Sequence, residues 1–187
     1  MREFADCTSL STPRVRNNSV HTIISSNTFK ELREFNLCKN NITFLEMNAF
    51  TGLVGLKKLL LCQNSILYWN QNLKNVFKLE ELDISGNNMR GFKFDMLPKS
   101  VMKILADNNN YDCNCQLQDE IRKYLLCSRR QNITGVCSMP THLRSLQLDT
   151  FSLKEPCMNN FTCRKDTSKS YCKCGIEYTG EYCEKII

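Results

Sequence analysis

The chain has 187 residues, with 25 Lys and Arg against 19 Asp and Glu, a net charge of +6. The excess is thin and contains no run of five like charges, so a polybasic surface for nucleic acid or anionic lipid is excluded. At 42% hydrophobic residues the chain can bury a core, yet no stretch of 18 apolar residues is present to span a bilayer.

The opening MREFADCTSL has no apolar core of a secretory leader, and it carries the isolated Cys7. From residue 10 onward the chain repeats itself. Apolar residues fall at positions 1, 4, 6 and 11 of a common template, with Asn at position 9. Leu32, Phe35, Leu37, Asn40 and Ile42 fill one copy. Leu56, Leu59, Leu61, Asn64 and Ile66 fill the next, followed by Leu79, Leu82, Ile84, Asn87 and Met89, then Val101, Ile104, Ala106, Asn109 and Tyr111. Leu10, Pro13, Val15, Asn18 and Val20 form a looser first copy. The Asn register 18, 40, 64, 87, 109 advances in steps of 22 to 24 residues.

Positions 4 and 6 flank one outward residue, the alternation of a short strand with one buried face. The Asn ends that strand, where its amide can satisfy the backbone of its own turn and of the neighbouring copy. Apolar residues three apart, such as Phe50, Leu53 and Leu56 or Leu73, Val76 and Leu79, are expected to line the opposite side. No single copy can bury its own face, so stacking must make the fold. This pattern resembles the leucine-rich repeat. The resemblance implies an α/β solenoid, a horseshoe with a parallel β-sheet on its concave face, over residues 1–109, its N-terminal cap missing or truncated.

Positions 3 and 5 of each copy should then face outward on the concave side. They read Glu34, Lys58, Glu81 and Lys103, and Asn36, Leu60, Asp83 and Leu105. These eight residues are the expected partner-binding surface. For the charges a second reading stands beside it, in which opposite signs on neighbouring strands simply pair and knit the sheet. Cys38 and Cys62 share position 7 on adjacent strands, roughly 5 Å apart, where either a disulfide or two free thiols fit.

Downstream, Cys113-Asn114-Cys115 precedes Ile121, Tyr124 and Leu125 at helical spacing, then Cys137, Pro140 and Cys157. Residues 110–157 resemble the cysteine-rich C-terminal cap of extracellular leucine-rich repeat proteins, with Tyr124 in place of the usual Trp. That resemblance implies disulfides Cys113–Cys137 and Cys115–Cys157. Residues 156–187 carry Cys157, Cys163, Cys172-Lys173-Cys174 and Tyr178-Thr179-Gly180-Glu181-Tyr182-Cys183. They resemble a small EGF-like β module whose first Cys is absent. Cys157 is therefore claimed twice. If the cap keeps it, Cys163–Cys172 and Cys174–Cys183 remain for the tail. If the tail keeps it, Cys157–Cys172 forms and Cys115 must find Cys163. Cys7 reads as the remnant of an upstream cap, which points to an incomplete chain, and Cys127 has no assigned partner.

Twelve Cys and four Asn-x-Ser/Thr sequons, at Asn17, Asn41, Asn132 and Asn160, point to an extracellular chain with disulfides and N-linked glycans, either secreted or the ectodomain of a membrane protein. Both tight Cys pairs are Cys-x-Cys, His21 and His142 stand alone, and no acidic stretch of a calcium-binding module is present, so no metal or other cofactor is expected. No nucleophile, base and orienting group share a recognisable frame, so no enzyme and no small-molecule substrate are expected. The module order resembles Slit-type guidance proteins and vasorin-like surface proteins, and implies a non-enzymatic recognition module for an extracellular protein ligand or receptor in signalling, adhesion or guidance. The alternatives are a Toll-like receptor ectodomain fragment and an EGF-type growth-factor ligand; Glu181-Tyr182-Cys183-Glu184 lacks the Arg and Leu that flank the last Cys of such ligands.

Overall fold

The computed structural model describes residues 22–23, 31–46, 48–126, 132–167 and 169–187. The loose first copy, His21, Cys7, Cys127 and Asn17 lie outside them. The x-Leu-x-Leu segments form short strands β2 (Glu34–Asn36), β4 (Lys58–Leu60), β5 (Glu81–Asp83) and β6 (Lys103–Leu105), each coil contributing one, after β1 (Thr22–Ile23) and with β3 (Phe44–Leu45) on the flank. β1 pairs parallel with β3, apart from the main sheet. The main ladder is parallel and in phase with the template: Glu34, Lys58, Glu81 and Lys103 lie in one row, Phe35, Leu59, Leu82 and Ile104 in the next.

Side chains at positions 1, 4, 6 and 11 are buried throughout, as are Phe50, Leu53, Leu73 and Val76 on the far side. Each fully buried Leu contributes about 1.5–3 kcal/mol relative to an exposed one. The polar part of each coil is closed by its Asn. The amide of Asn64 donates to Leu61 O of its own turn (2.9 Å) and to Leu37 O of the coil before (3.0 Å), while its Oδ1 accepts from Ile42 N–H (3.1 Å). Asn87 repeats this with Ile84 O (3.0 Å), Leu61 O (3.1 Å) and Ile66 N–H (3.0 Å), and Asn109 with Ala106 O, Ile84 O and Met89 N–H. One amide thus satisfies backbone groups of two coils that have no strand partner.

An aromatic column threads the far side. Trp69, Phe92, Phe94 and Tyr124 stack with successive centroid separations of 5.0, 4.9 and 5.2 Å. Its last member belongs to α1 (Cys115–Leu126), the helix expected from the spacing of Ile121, Tyr124 and Leu125. Asn114 caps that helix by accepting from Leu117 N–H (3.0 Å). α1 closes the open end of the stack, burying Leu117, Ile121 and Tyr124 on the core.

The strands after β6 depart from expectation. β7 (Tyr111–Asp112) pairs parallel with β9 (Cys137–Met139), and β8 (Asn132–Ile133) joins the main sheet beside β6, making five strands in the order β2-β4-β5-β6-β8. Residues 110–157 therefore extend the sheet as well as covering it. Gly135 makes this possible: at φ +121° it takes a conformation that L side chains rarely adopt, and an added Cβ would stand 3.0 Å from Ala106 O. A single helical turn, α2 (Leu148–Phe151), follows.

The tail holds two antiparallel pairs, β10 (Cys163–Lys165) with β11 (Ser170–Cys172) and β12 (Tyr178–Thr179) with β13 (Lys185–Ile186), the second preceded by Gly175 and turned at Gly180 (φ +98°). It packs on α1. Lys165 Nζ lies 2.7 Å from Asp119, Ser170 N–H donates to Gln116 Oε1 (3.1 Å), and Tyr182 donates its hydroxyl proton to Asp112.

Five disulfides join described residues. Cys113 is bonded to Cys137, the pair implied by the cap resemblance, and Cys174 to Cys183. Cys38 and Cys62 are bonded, with Cα atoms 4.5 Å apart. The Cys115–Cys157 bond implied by the cap resemblance is not formed. Cys115 pairs with Cys163 and Cys157 with Cys172, the second of the two sequence alternatives. The reason is local: the β10–β11 hairpin lies against α1, bringing Cys163 to the helix's first residue. No helix among the described residues is long and apolar enough to cross a membrane.

Candidate functional site

The strand rows define a shallow face on the outer side of the sheet. Its first row is Glu34, Lys58, Glu81, Lys103 and, in register beyond them, Asn132. Three of these charges, Lys58, Glu81 and Lys103, are engaged with one another. Glu81 bonds Lys103 at 2.9 Å and Lys58 at 3.4 Å, one carboxylate shared between the ammonium groups of both neighbouring strands. The hydrogen bond from Lys103 holds the Glu81 carboxyl below its ordinary value, with Lys58 adding to it and partial burial opposing. One step back along the chain, Lys57 and Glu80 pair the same way at 3.0 Å. Such exposed pairs are each worth about 0.2–1 kcal/mol and leave little charge free for a partner.

The second row differs from the sequence expectation at one end. Asn36 is buried, at 1% exposure, and its Oδ1 accepts from Cys38 N–H (3.1 Å), so it offers nothing to a partner. It acts inside the fold, turning the chain at the end of β2. Leu60, Asp83 and Leu105 are half-buried and follow one another across β4, β5 and β6. Asp83 accepts from the backbone N–H and the hydroxyl of Ser85 at 3.0 and 2.6 Å, which fixes its carboxylate between the two leucines. The Cys38–Cys62 disulfide borders this row, its sulfurs within 4.8 Å of an Asp83 oxygen. This gives a rigid strip: apolar, acidic, apolar, beside a neutralised ladder.

Three features escape the repeat pattern, two on this face and one on the far side. Asn132 joins the face because β8 arrives 29 residues after the β6 position beside it, well outside the 22–24-residue period. Thr134 follows on the same strand end, donating its hydroxyl proton to Asp107 and accepting from Ala106 N–H. The buried Gln71, on the far side, ties coils together by donating to Glu46 O (2.8 Å) and accepting from Ala49 N–H (3.0 Å). The only available signal was the Ile133-x-Gly135 spacing, which looks like loop in isolation.

The sequon asparagines among the described residues, Asn41, Asn132 and Asn160, are all solvent-exposed. His142 sits against Tyr182 (6.2 Å between ring centroids) and Pro156 O (3.1 Å).

Comparison with known proteins agrees with the coils. Residues 8–66 and 30–89 match the leucine-rich repeat family model. Leucine-rich repeat-containing protein 3 of Danio rerio is 34% identical over 92 residues, which are 48% of this chain and 35% of that protein. The chain thus spans about a third of the length of that curated relative. Residues 8–89 are thus similar to leucine-rich repeats, whose domains generally mediate protein–protein recognition.

Proposed function

We propose that the chain is a non-enzymatic recognition module of a secreted or cell-surface protein, and that it binds an extracellular protein partner through the concave face. The observation that carries this reading is the strip Leu60, Asp83 and Leu105. Two half-exposed leucines flank a fixed carboxylate on a rigid sheet, while the neighbouring charges are satisfied among themselves. A partner segment with two apolar side chains flanking a cation would match that order. Lys58, Glu81 and Lys103 then act at the rim, and Glu34 at the far end of the row.

The closing segment reads as a cysteine-rich cap and the tail as an EGF-like module. Cys115, reaching Cys163 from α1, supplies the cysteine the tail lacks, which supports that reading. Exposed sequons at Asn41, Asn132 and Asn160 and five disulfides support an extracellular setting.

The test begins with capture of a partner by the secreted chain on cell surfaces, followed by direct binding of the purified partner ectodomain to variants. L60E, D83K and L105E should each weaken binding at least tenfold, about 1.4 kcal/mol, with unchanged melting, while K78E on an exposed position of the opposite side should bind as native. Native-strength binding by all three strip variants refutes the concave assignment.

A further inference from the structure

The two disulfides that join the closing segment to the tail are close neighbours. All four sulfurs of Cys115, Cys157, Cys163 and Cys172 lie within 4.8 Å of one another. Across the two bonds, Cys115 Sγ is 3.6 Å from Cys157 Sγ and 3.5 Å from Cys172 Sγ, and Cys157 Sγ is 3.8 Å from Cys163 Sγ. These separations are van der Waals contact between sulfurs, from which a thiolate needs only a small displacement to attack a neighbouring disulfide. Cys163 and Cys172 are also directly opposed in the β10–β11 register. Opposed residues of an antiparallel pair have Cα atoms about 4.5–5.5 Å apart, inside the range a disulfide spans.

We propose that these four cysteines form one thiol-exchange site, at which a small thiolate converts the pairing Cys115–Cys163 and Cys157–Cys172 into Cys115–Cys157 and Cys163–Cys172. Cys163 and Cys172 are partly exposed and Cys115 and Cys157 are buried, so solvent reaches each bond at its hairpin end. For attack at Cys163, the incoming thiolate forms a mixed disulfide with Cys163 Sγ and breaks the Cys115–Cys163 bond, expelling the Cys115 thiolate. That thiolate sits at the first residue of the 12-residue helix α1, where the helix terminus favours negative charge. It attacks Cys157 Sγ at 3.6 Å, forming Cys115–Cys157 and expelling the Cys172 thiolate. Cys172 attacks Cys163 Sγ in the mixed disulfide, forming Cys163–Cys172 and returning the small thiolate. Two disulfides are present before and after, no net oxidation occurs, and the thiol is regenerated.

The exchange changes how the tail is held. Cys115–Cys163 bolts the β10–β11 hairpin to α1. In the exchanged form one bond closes within the segment ending at Cys157 and the other within the hairpin, leaving the hairpin on α1 by Lys165–Asp119 and Ser170–Gln116 alone.

The experiment uses the full oxidised chain, incubated with a sub-stoichiometric amount of reduced glutathione, acid-quenched, alkylated and mapped without reduction. Trypsin leaves Cys157 and Cys163 on one peptide, because no Lys or Arg lies between them, so chymotryptic cleavage after Phe161 is added. The Cys115–Cys157 linkage should rise from trace to about a tenth of chains or more, while Cys113–Cys137 and Cys174–Cys183, outside the cluster, stay intact. Recovery of only the original linkages, or of reduced and glutathionylated chains without Cys115–Cys157, overturns the proposal. In the doubly substituted chain C163S/C172S, Cys115 and Cys157 should bond and trypsin should cut after Arg164 or Lys165 several-fold faster than in native chain. Two free thiols in that folded variant also overturn it.

Discussion

Replacing Asn87 with Ala isolates the contribution of the polar column. Its side chain donates to Ile84 O and Leu61 O and accepts from Ile66 N–H, at 3.0, 3.1 and 3.0 Å, and it is 5% exposed. Alanine leaves the buried Ile66 N–H without its acceptor and takes one donor each from Ile84 O and Leu61 O, which keep Asn109 and Asn64. The stranded N–H costs about 1–3 kcal/mol and each bond lost from a still-satisfied carbonyl about 0.5–1.5 kcal/mol, reduced where water can enter the vacated space, so N87A should lose about 3 kcal/mol. For a chain of this size that corresponds to a fall in melting temperature of roughly 6–12 °C. The measurement is urea unfolding followed by far-ultraviolet circular dichroism, beside calorimetry, with N88A as the control. Asn88 is exposed and only its backbone N–H bonds across coils, to Ile66 O, so its substitution should cost under about 0.5 kcal/mol. If N87A unfolds within about 0.5 kcal/mol of native, the column is not what joins the coils and the account of the stack fails.

Two other perturbations follow from the geometry. G135A should destabilise by about 2 kcal/mol or more, because a positive φ and a 3.0 Å approach to Ala106 O leave the methyl no room, and loss of β8 from the sheet should appear as faster amide exchange at Asn132 and Thr134, whose N–H groups donate to Met102 O and Ile104 O. Native-like exchange in G135A would show that β8 does not depend on that turn. For Glu81 the folded carboxyl lies below its ordinary value of 4.5, so its stabilisation is present above that pH and is lost as pH falls through the lower folded value. E81Q should therefore flatten the decline of stability below about pH 4.5, and an unchanged acid limb refutes the shared-carboxylate arrangement.

The repeat register carried most of the fold. A strict period of Leu and Asn sets which way each side chain points, and β2, β4, β5 and β6 begin at position 3 of their copies for that reason. The same period says nothing of what the chain lays over a side chain from elsewhere, so the outward-pointing Asn36 is buried while Leu60 and Leu105 are half-exposed. β8 lies beyond the last repeat, where partner choice is decided by closure of the stack rather than by the pattern within it. Phe92 and Phe94 stand off the template altogether, and only three-dimensional packing joins them to Trp69 and Tyr124. For the cysteines, spacing left two pairings because all four sulfurs converge on one point, where separation along the chain no longer discriminates.

The aromatic column has an optical consequence. Trp69 is the chain's single tryptophan, 6% exposed, with its indole N–H meeting no hydrogen-bond acceptor among the described residues. Its emission should be blue-shifted, and because the column keeps Tyr124 within about 15 Å of the indole, excitation of that tyrosine should feed it through space. One fluorophore, native to the sequence, therefore reports whether the terminal helix remains seated on the coils, with no label attached.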